Sequence, residues 1–258
     1  MALPKFLGCD LSIPTYSWSA GTNASYPVSN LKTGFPDMKS RSNATTAGQS
    51  FVVDMGSAVA CNALIIEGHN FAAVLADTVS LEADDNSGFT SPTVIVASIT
   101  VASADELVLE TFDSATYRYW RVVYDAAGPL GAAPEIGNIY LGTTLNFEKP
   151  QEFNSFTDMP SHETSKSRSI GGHLRTSQNY GAVRKSIASF RLQSNAFIAL
   201  YKTFLETVKN DGMPFYYIDE DGIPHLVNME KGFNPYEVFR YDLNNITELP
   251  MESTMADT

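Results

Sequence analysis

Five side chains in the first half of the sequence carry chemistry that a surface could use: Trp18, Tyr26, Arg41, His69 and Asn70. Aromatic rings beside a guanidinium suit stacking on a sugar or docking of a protein, and they equally suit loop anchors, because aromatics carry much of the packing area in loop-rich domains. His69-Asn70 follows the apolar run "ALIIEG", where a strand end meets the loops that commonly carry function. The same pair also fits two polar side chains satisfying backbone groups at a turn. The densest aromatic stretch is "TYRYWRVVYD", residues 116–125. Rings interleaved with arginines can stack on bases and neutralise phosphates, yet the chain has a formal charge of −12. Residues 1–147, with six basic and fourteen acidic side chains, carry −8 of it. That field opposes the phosphate attraction on which nucleic-acid binding depends, so 116–125 is read as a strand. Strand alternation then sends Trp120, Val122 and Tyr124 to the core, and Arg121 with the neighbouring tyrosines to the outer face or rim.

Signals for catalysis and metal binding are absent from the pattern. The histidines, His69, His162, His173 and His225, lack i, i+4 spacing, and Cys9 and Cys61 form no C-x-x-C pair, which argues against a zinc site. No nucleophile elbow, phosphate-binding loop or dinucleotide turn occurs, so no catalytic residue, metal or cofactor is expected. The acidic runs "ADDNSG" (83–88) and "DEDG" (219–222) offer oxygens to calcium but match no full calcium loop; they read as solvated turns. Two cysteines allow at most one bridge and read as reduced, buried thiols. There is no long apolar h-region and no run of about 18 apolar residues, which predicts a soluble chain made in a cytoplasm, without membrane insertion.

The elements that must position these residues read mainly as strands. From residue 50 the runs "SFVVDMG", "NALIIEG", "DTVSLEAD", "TVIVASI", "ELVLETF", "YRYWRVVYD" and "IGNIYLG" are short, rich in β-branched and aromatic residues, and bounded by turn formers. Such spacing predicts an antiparallel sandwich or barrel, with residues before 50 laid over one end as loops. Composition turns polar over 146–182, predicting a linker or arm between a domain at 1–145 and a smaller β-rich domain at 183–258. In the latter, Phe197, Leu200, Tyr201, Phe204, Leu205 and Val208 make one stripe of a helix over 195–210, capped by Ser194 or Asn195 and stopped at Gly212. A hairpin turning at Asp221-Gly222, a last strand in "YEVFRYDLNNITELP" and a frayed tail "MESTMADT" follow.

Taken in order, "YPVSNLKTGFPDMKSRSN", "SFVVDMGSAVACNALIIEGHNF", "YRYWRVVYD" and "EIGNIYLG" resemble a discoidin-like (coagulation-factor type C) domain in the version found in bacteriophage tail proteins. Arg41-Ser42, Asp54-Met55-Gly56, Gly68-His69-Asn70, Trp120-Arg121-Val122 and Glu135 to Gly142 stand at the family's motif positions. Met38-Lys39 departs from the tryptophan that extracellular members often carry before Arg-Ser, and the two cysteines are not at the domain's ends, where a closing disulfide would sit. "SFRLQSNAFIALYKTFLETVKNDGMPFYYIDEDG" more loosely resembles the strand-helix-strand of distal-tail proteins. The resemblance implies a mainly β fold: a jelly-roll sandwich followed by a smaller β-rich domain with one packed helix, Trp120 and Phe204 being structural. It implies a non-enzymatic tail-tip or baseplate component, forming a homo-oligomeric ring with other phage tail proteins and located in the virion tail after assembly in the host cytoplasm. The alternative is a carbohydrate-binding adhesin that grips a host glycan through Trp18, Tyr26, Arg41, His69 and Asn70.

Overall fold

The computed structural model describes residues 3–99, 107–151, 159–161, 164–168, 174–178, 183–208, 213–229, 237–240 and 243–254. In chain order the first strands are β1 (Lys5–Leu7), β2 (Thr15–Trp18), β3 (Ser40–Arg41), β4 (Gln49–Glu67), β5 (Thr78–Asp84), β6 (Thr93–Val96), β7 (Val108–Asp125), β8 (Glu135–Ile136) and β9 (Asn138–Gly142). A 3-10 turn, Val28–Lys32, and a short helix α1, Phe71–Val74, lie among them. Then come β10 (Leu145–Asn146), β11 (Met159–Ser161), β12 (Thr164–Arg168), β13 (Leu174–Gln178), β14 (Val183–Ser194), helix α2 (Asn195–Thr207), β15 (Phe215–Ile218), β16 (Pro224–Met229), β17 (Glu237–Arg240) and β18 (Leu243–Thr254). The described residues are mainly β, built of antiparallel sheets, with helix α2 packed in the later part of the chain.

Two compact units divide it: Leu7–Thr144, and Met1–Phe6 together with Leu145–Thr258. The first residues therefore leave the domain expected at 1–145. The reason is Phe6, fully buried in the second unit with its ring centroid 4.9 Å from Phe147, 5.2 Å from Phe204 and 5.0 Å from Phe215.

In the Leu7–Thr144 unit the sheet order is β2-β4-β7-β5-β6, with β9 also on β4. Alternation decides which side chains face inward: Tyr16 and Trp18 from β2, Phe51, Val53 and Met55 from β4, Val79, Leu81 and Ala83 from β5, and Trp120, Val122 and Tyr124 from β7 form one buried cluster. Runs expected as separate strands are continuous here, since β4 joins "SFVVDMG" to "NALIIEG" and β7 joins "ELVLETF" to "YRYWRVVYD". Gln49 to Asp54 pair with Tyr124 to Tyr119; after a register shift, Val59 pairs with Tyr117. Gly56 sits in that shift at φ 76°, where a side chain would be strained. The shift also turns Tyr117 inward against Trp120 (centroids 6.0 Å), while Arg118 faces outward to Asp54; Tyr117 thus departs from the outer-face expectation. The loops flanking the two ends of β4 both bond to the 130–131 segment, Leu130 N–H to Thr45 O at 2.8 Å and Gly131 N–H to Val74 O at 2.8 Å. So β4 returns to the end it left, and that end carries the loops.

In the second unit, the described strands form a sheet of order β10-β1-β15-β16-β18-β14-β11, with β17 on β18, and a separate hairpin of β12 and β13. Part of the stretch expected as a plain linker is therefore paired strand, residues 147–151 are described but not strand, and the remainder lies outside the described residues. The last strand is two, β17 and β18, and β18 runs on through Met251–Thr254, so the first half of the expected frayed tail is paired. Ser194 caps α2, its Oγ accepting from Phe197 N–H at 3.1 Å. The buried stripe is Phe197, Ile198, Tyr201, Phe204, Leu205 and Val208, whereas Leu200 is 61% exposed. Residues 197, 201, 204 and 208 mark the middle of that face; 198 and 205 lie on one flank, which is covered, and 200 on the other, which is open to solvent. Gly212 lies outside the described residues. None of the described helices is long and apolar enough to cross a membrane.

Candidate functional site

The loop end of the Leu7–Thr144 unit is pinned backbone to backbone. Arg41 N–H donates to Tyr26 O (3.2 Å), Asn23 N–H to Arg41 O (2.9 Å), Ser42 N–H to Pro134 O (2.9 Å) and Asn43 N–H to Gly21 O (2.9 Å). Side chains add further ties. Gln49, buried, donates through Nε2 to Ala44 O at 2.9 Å and accepts from the Ser42 hydroxyl. Asn138, also buried, donates to Gly34 O at 2.9 Å, holding the 33–39 loop. Pro36 O crowds the backbone so closely that a Cβ on Gly68 would lie 2.3 Å from it and one on Gly137 1.9 Å from it. Glycine is required at both positions for the loop to seat.

On this scaffold Tyr26, Arg41 and Glu135 converge. β3 pairs antiparallel with β8, Arg41 directly opposite Glu135, and directly opposed charges in such a pair attract. The Arg41 guanidinium pairs with the Glu135 carboxylate and lies over the Tyr26 ring, 4.0 Å from its centroid, within cation–π range. Arg41 is 33% exposed along its side chain and Glu135 13%; Tyr26 is half-buried. An aromatic ring, a fixed guanidinium and a carboxylate thus share one half-open place at the rim.

The other candidates named from the sequence fall elsewhere. Trp18 is 4% exposed, its indole N–H donating to Ser40 Oγ at 3.0 Å and its ring packed edge-on to Phe51. β2 alternation sends it into the core, so its expected role as a ligand-stacking ring is corrected to that of a core residue. His69 is fully buried and stacked on Phe71, centroids 4.2 Å apart; burial removes it from any ligand's reach. Asn70 works as a clasp, donating to Ala133 O and accepting from Glu135 N–H, both at 2.9 Å; it places Glu135 without presenting itself. Trp120 is fully buried and Phe204 8% exposed. Glu135 and Asn138 are not among the site residues expected from the sequence. The signal available for Glu135 is its place at the head of "EIGNIYLG".

Elsewhere the charged groups pair among themselves. Arg118 binds Asp54 through two contacts of 2.9 and 3.1 Å, and this guanidinium holds the Asp54 carboxyl below the usual carboxylate range. Arg121 pairs with Glu82 at 2.7 Å and covers the Phe89 ring. In the acidic turns, Asp84 accepts from Asn86 and Ser91 N–H, and Asp219 from Asp221 and Ile223 N–H while meeting His225 Nε2 at 3.0 Å. Their carboxylates serve their own backbone. Among the described residues no group of three or more His, Cys, Asp or Glu could hold a metal ion. Both cysteines are thiols; Cys61 is buried, whereas Cys9 is half-buried rather than buried as expected. Burial pushes the Cys61 thiol up to about 12.

No family model matches the sequence, and no curated protein does. Among solved structures, the chain is similar to chitosan-binding module 1 of a chitosanase/glucanase from Paenibacillus sp. IK-5, at 20% identity over 52% of this chain and 98% of that one, with a TM-score of 0.41. It is similar to the family 32 CBM of NanJ from C. perfringens, solved with galactose, at 17% identity over 54% and 98% of the two chains, TM-score 0.42. A third similarity is to CBM32-1 from a family 31 glycoside hydrolase of Clostridium perfringens, at 15% identity over 50% and 93%, TM-score 0.41. The expected tail-tip or baseplate role is corrected on this point: the three structures named here are carbohydrate-binding modules, not tail proteins. The apolar face of α2 is buried within its own unit beside Phe6, Phe147, Phe190 and Phe215, as its stripe predicts.

Proposed function

We propose that the Leu7–Thr144 unit is a glycan-binding module, non-catalytic in itself, with its site at Tyr26, Arg41 and Glu135. The observation that carries this reading is the convergence of those three side chains at a rim held by backbone hydrogen bonds. A sugar presents C–H surface to an aromatic ring and hydroxyls that both donate and accept. A guanidinium supplies donors only and a carboxylate acceptors only, so the Arg41–Glu135 pair answers both halves of a hydroxyl. Preorganisation matters as much as chemistry, because affinity is lost when side chains and loops must be ordered on binding; here the loops are already tied. Chitosan and galactose, named for two of the similar structures, are reasonable first ligands to try.

The test is a glycan array probed with the full chain, followed by titration calorimetry on the best hit. Tyr26→Ala should reduce binding at least about tenfold, a loss of ~1.4 kcal/mol, without shifting the melt by more than a few degrees; Arg41→Ala should reduce binding as much and also lower the melt, because it strands the Glu135 carboxylate. Trp18→Ala is unsuitable as a binding probe, since it empties a core position. Absence of binding to any sugar, or binding unchanged in both rim variants, would remove the proposal.

A further inference from the structure

The Arg41–Glu135 pair bears on which glycans the rim admits. A lone arginine at a rim favours acidic sugars, because its planar fork matches a carboxylate or sulfate through two parallel hydrogen bonds. Arg41 is not in that situation. Its guanidinium is already held by Glu135, whose side chain is only 13% exposed, and the pairing is built by the backbone, since β3 and β8 set the two residues directly opposite each other. Asn70 fixes Glu135 from behind, accepting its N–H at 2.9 Å.

An acidic sugar reaching Arg41 therefore meets one of two obstacles. It can displace Glu135, which strands a largely buried carboxylate without its cation, or it can sit beside Glu135 as a like charge. The wider field points the same way. Residues 7–144 contain five basic and fourteen acidic side chains, a formal charge of −9, which disfavours the approach of anions. An uncharged sugar meets neither obstacle, because adjacent hydroxyls can accept from the guanidinium and donate to the carboxylate at once.

Resting on the glycan-binding reading above, we infer that Glu135 sets the charge class of the ligand: the site takes uncharged sugars through neighbouring hydroxyls, rejects sugars bearing carboxylate or sulfate, and becomes a receptor for acidic sugars when Glu135 loses its charge. Glu135 is thus a specificity-determining residue.

The experiment uses the full chain and matched sugar pairs, galactose-terminated against galacturonate-terminated and glucose-terminated against glucuronate-terminated oligosaccharides, with wild type, Glu135→Gln and the double variant Arg41→Gln/Glu135→Gln. Wild type should bind the neutral member at least about tenfold tighter than its uronate, as like-charge juxtaposition requires. Glu135→Gln should close or invert that ratio, and the double variant should lose the uronate binding so gained. Salt provides a second measure that does not depend on the variant folding: the weak uronate binding of wild type should strengthen as salt screens the repulsion. Four results would overturn the inference while leaving glycan binding intact: equal wild-type affinity for both members of a pair, an unchanged ratio in Glu135→Gln, uronate binding that survives in the double variant, or wild-type uronate binding that weakens with salt. Failure of wild type and variants to bind any neutral or acidic sugar would overturn the glycan reading and this inference together.

Discussion

The loop end of the Leu7–Thr144 unit and the interior of the second unit both draw on aromatic side chains, and they use them in opposite ways. In the second unit Phe6, Phe147, Phe197, Tyr201, Phe204, Phe215 and Tyr217 bury one another around α2, with Phe147 and Phe190 stacked at 3.8 Å. The energy there is apolar area withdrawn from water. At the loop end the half-open ring of Tyr26 touches a charge, and what holds it is a lattice of backbone hydrogen bonds with the glycine-lined seat for Pro36. A region stabilised by burial has little to offer a ligand. A region stabilised by backbone pairing can leave polar side chains at the surface and still keep them in place.

Breaking the buried side of this contrast should have the largest effect. Phe204→Ala empties a core position and is expected to cost about 3–5 kcal/mol, read as a lowered transition in calorimetry or urea unfolding of the full chain; a melt like wild type would mean that α2 is not packed as described. Next is Gly137→Ala. A Cβ 1.9 Å from Pro36 O must push the 33–39 loop away, at about 1–3 kcal/mol for an overpacked site, and sugar affinity should fall with it if the rim depends on that seat. Retained stability and affinity would show the seat to be dispensable. Asn70→Ala removes the clasp on Ala133 and Glu135 and should cost about 1 kcal/mol, with a larger loss in binding than in stability.

Tyr26, Arg41 and Glu135 also mark how far the sequence can be read. The short β-branched runs, the capped helix and the burial of Trp120 are legible, because period-2 and period-3.6 patterns record which face meets the core. Tyr26 and Arg41 are legible as residue types. The partnership of Arg41 with Glu135 is not, since it depends on β3 meeting β8, a long-range pairing that no local pattern encodes. Trp18 misleads for a related reason. Its neighbours are polar and look like loop, and only the pairing of β2 with β4 turns its ring inward. Leu200 shows the limit of periodicity itself: at the edge of a helical stripe, one position decides between burial and exposure, and the sheet opposite makes the choice.

The smallest effect expected concerns pH. Asp54, held below the usual carboxylate range by Arg118, has a lower pKa folded than unfolded. Its contribution is therefore present above its ordinary value near 4 and fades as pH falls through the folded value. The pair is partly exposed, at 41% for Arg118 and 25% for Asp54, so solvent screens it and the term should stay under about 1 kcal/mol. Asp54→Asn should flatten stability against pH below about 4 and leave sugar binding at neutral pH unchanged; an equal slope in wild type and variant would show the pair to be energetically silent.

All of this turns on whether the rim, and no other part of the unit, holds a sugar. Backbone NMR of the full chain, titrated with the neutral oligosaccharide selected on the array, reads that out residue by residue. Binding at the rim should concentrate the shifts at residues 22–26, 41–43, 70 and 133–136, with the Arg41 side-chain signals among the most affected. Shifts clustering instead at the acidic turns 83–88 or 219–222, with the rim unmoved under saturating sugar, would place the sugar elsewhere and refute the rim as its site.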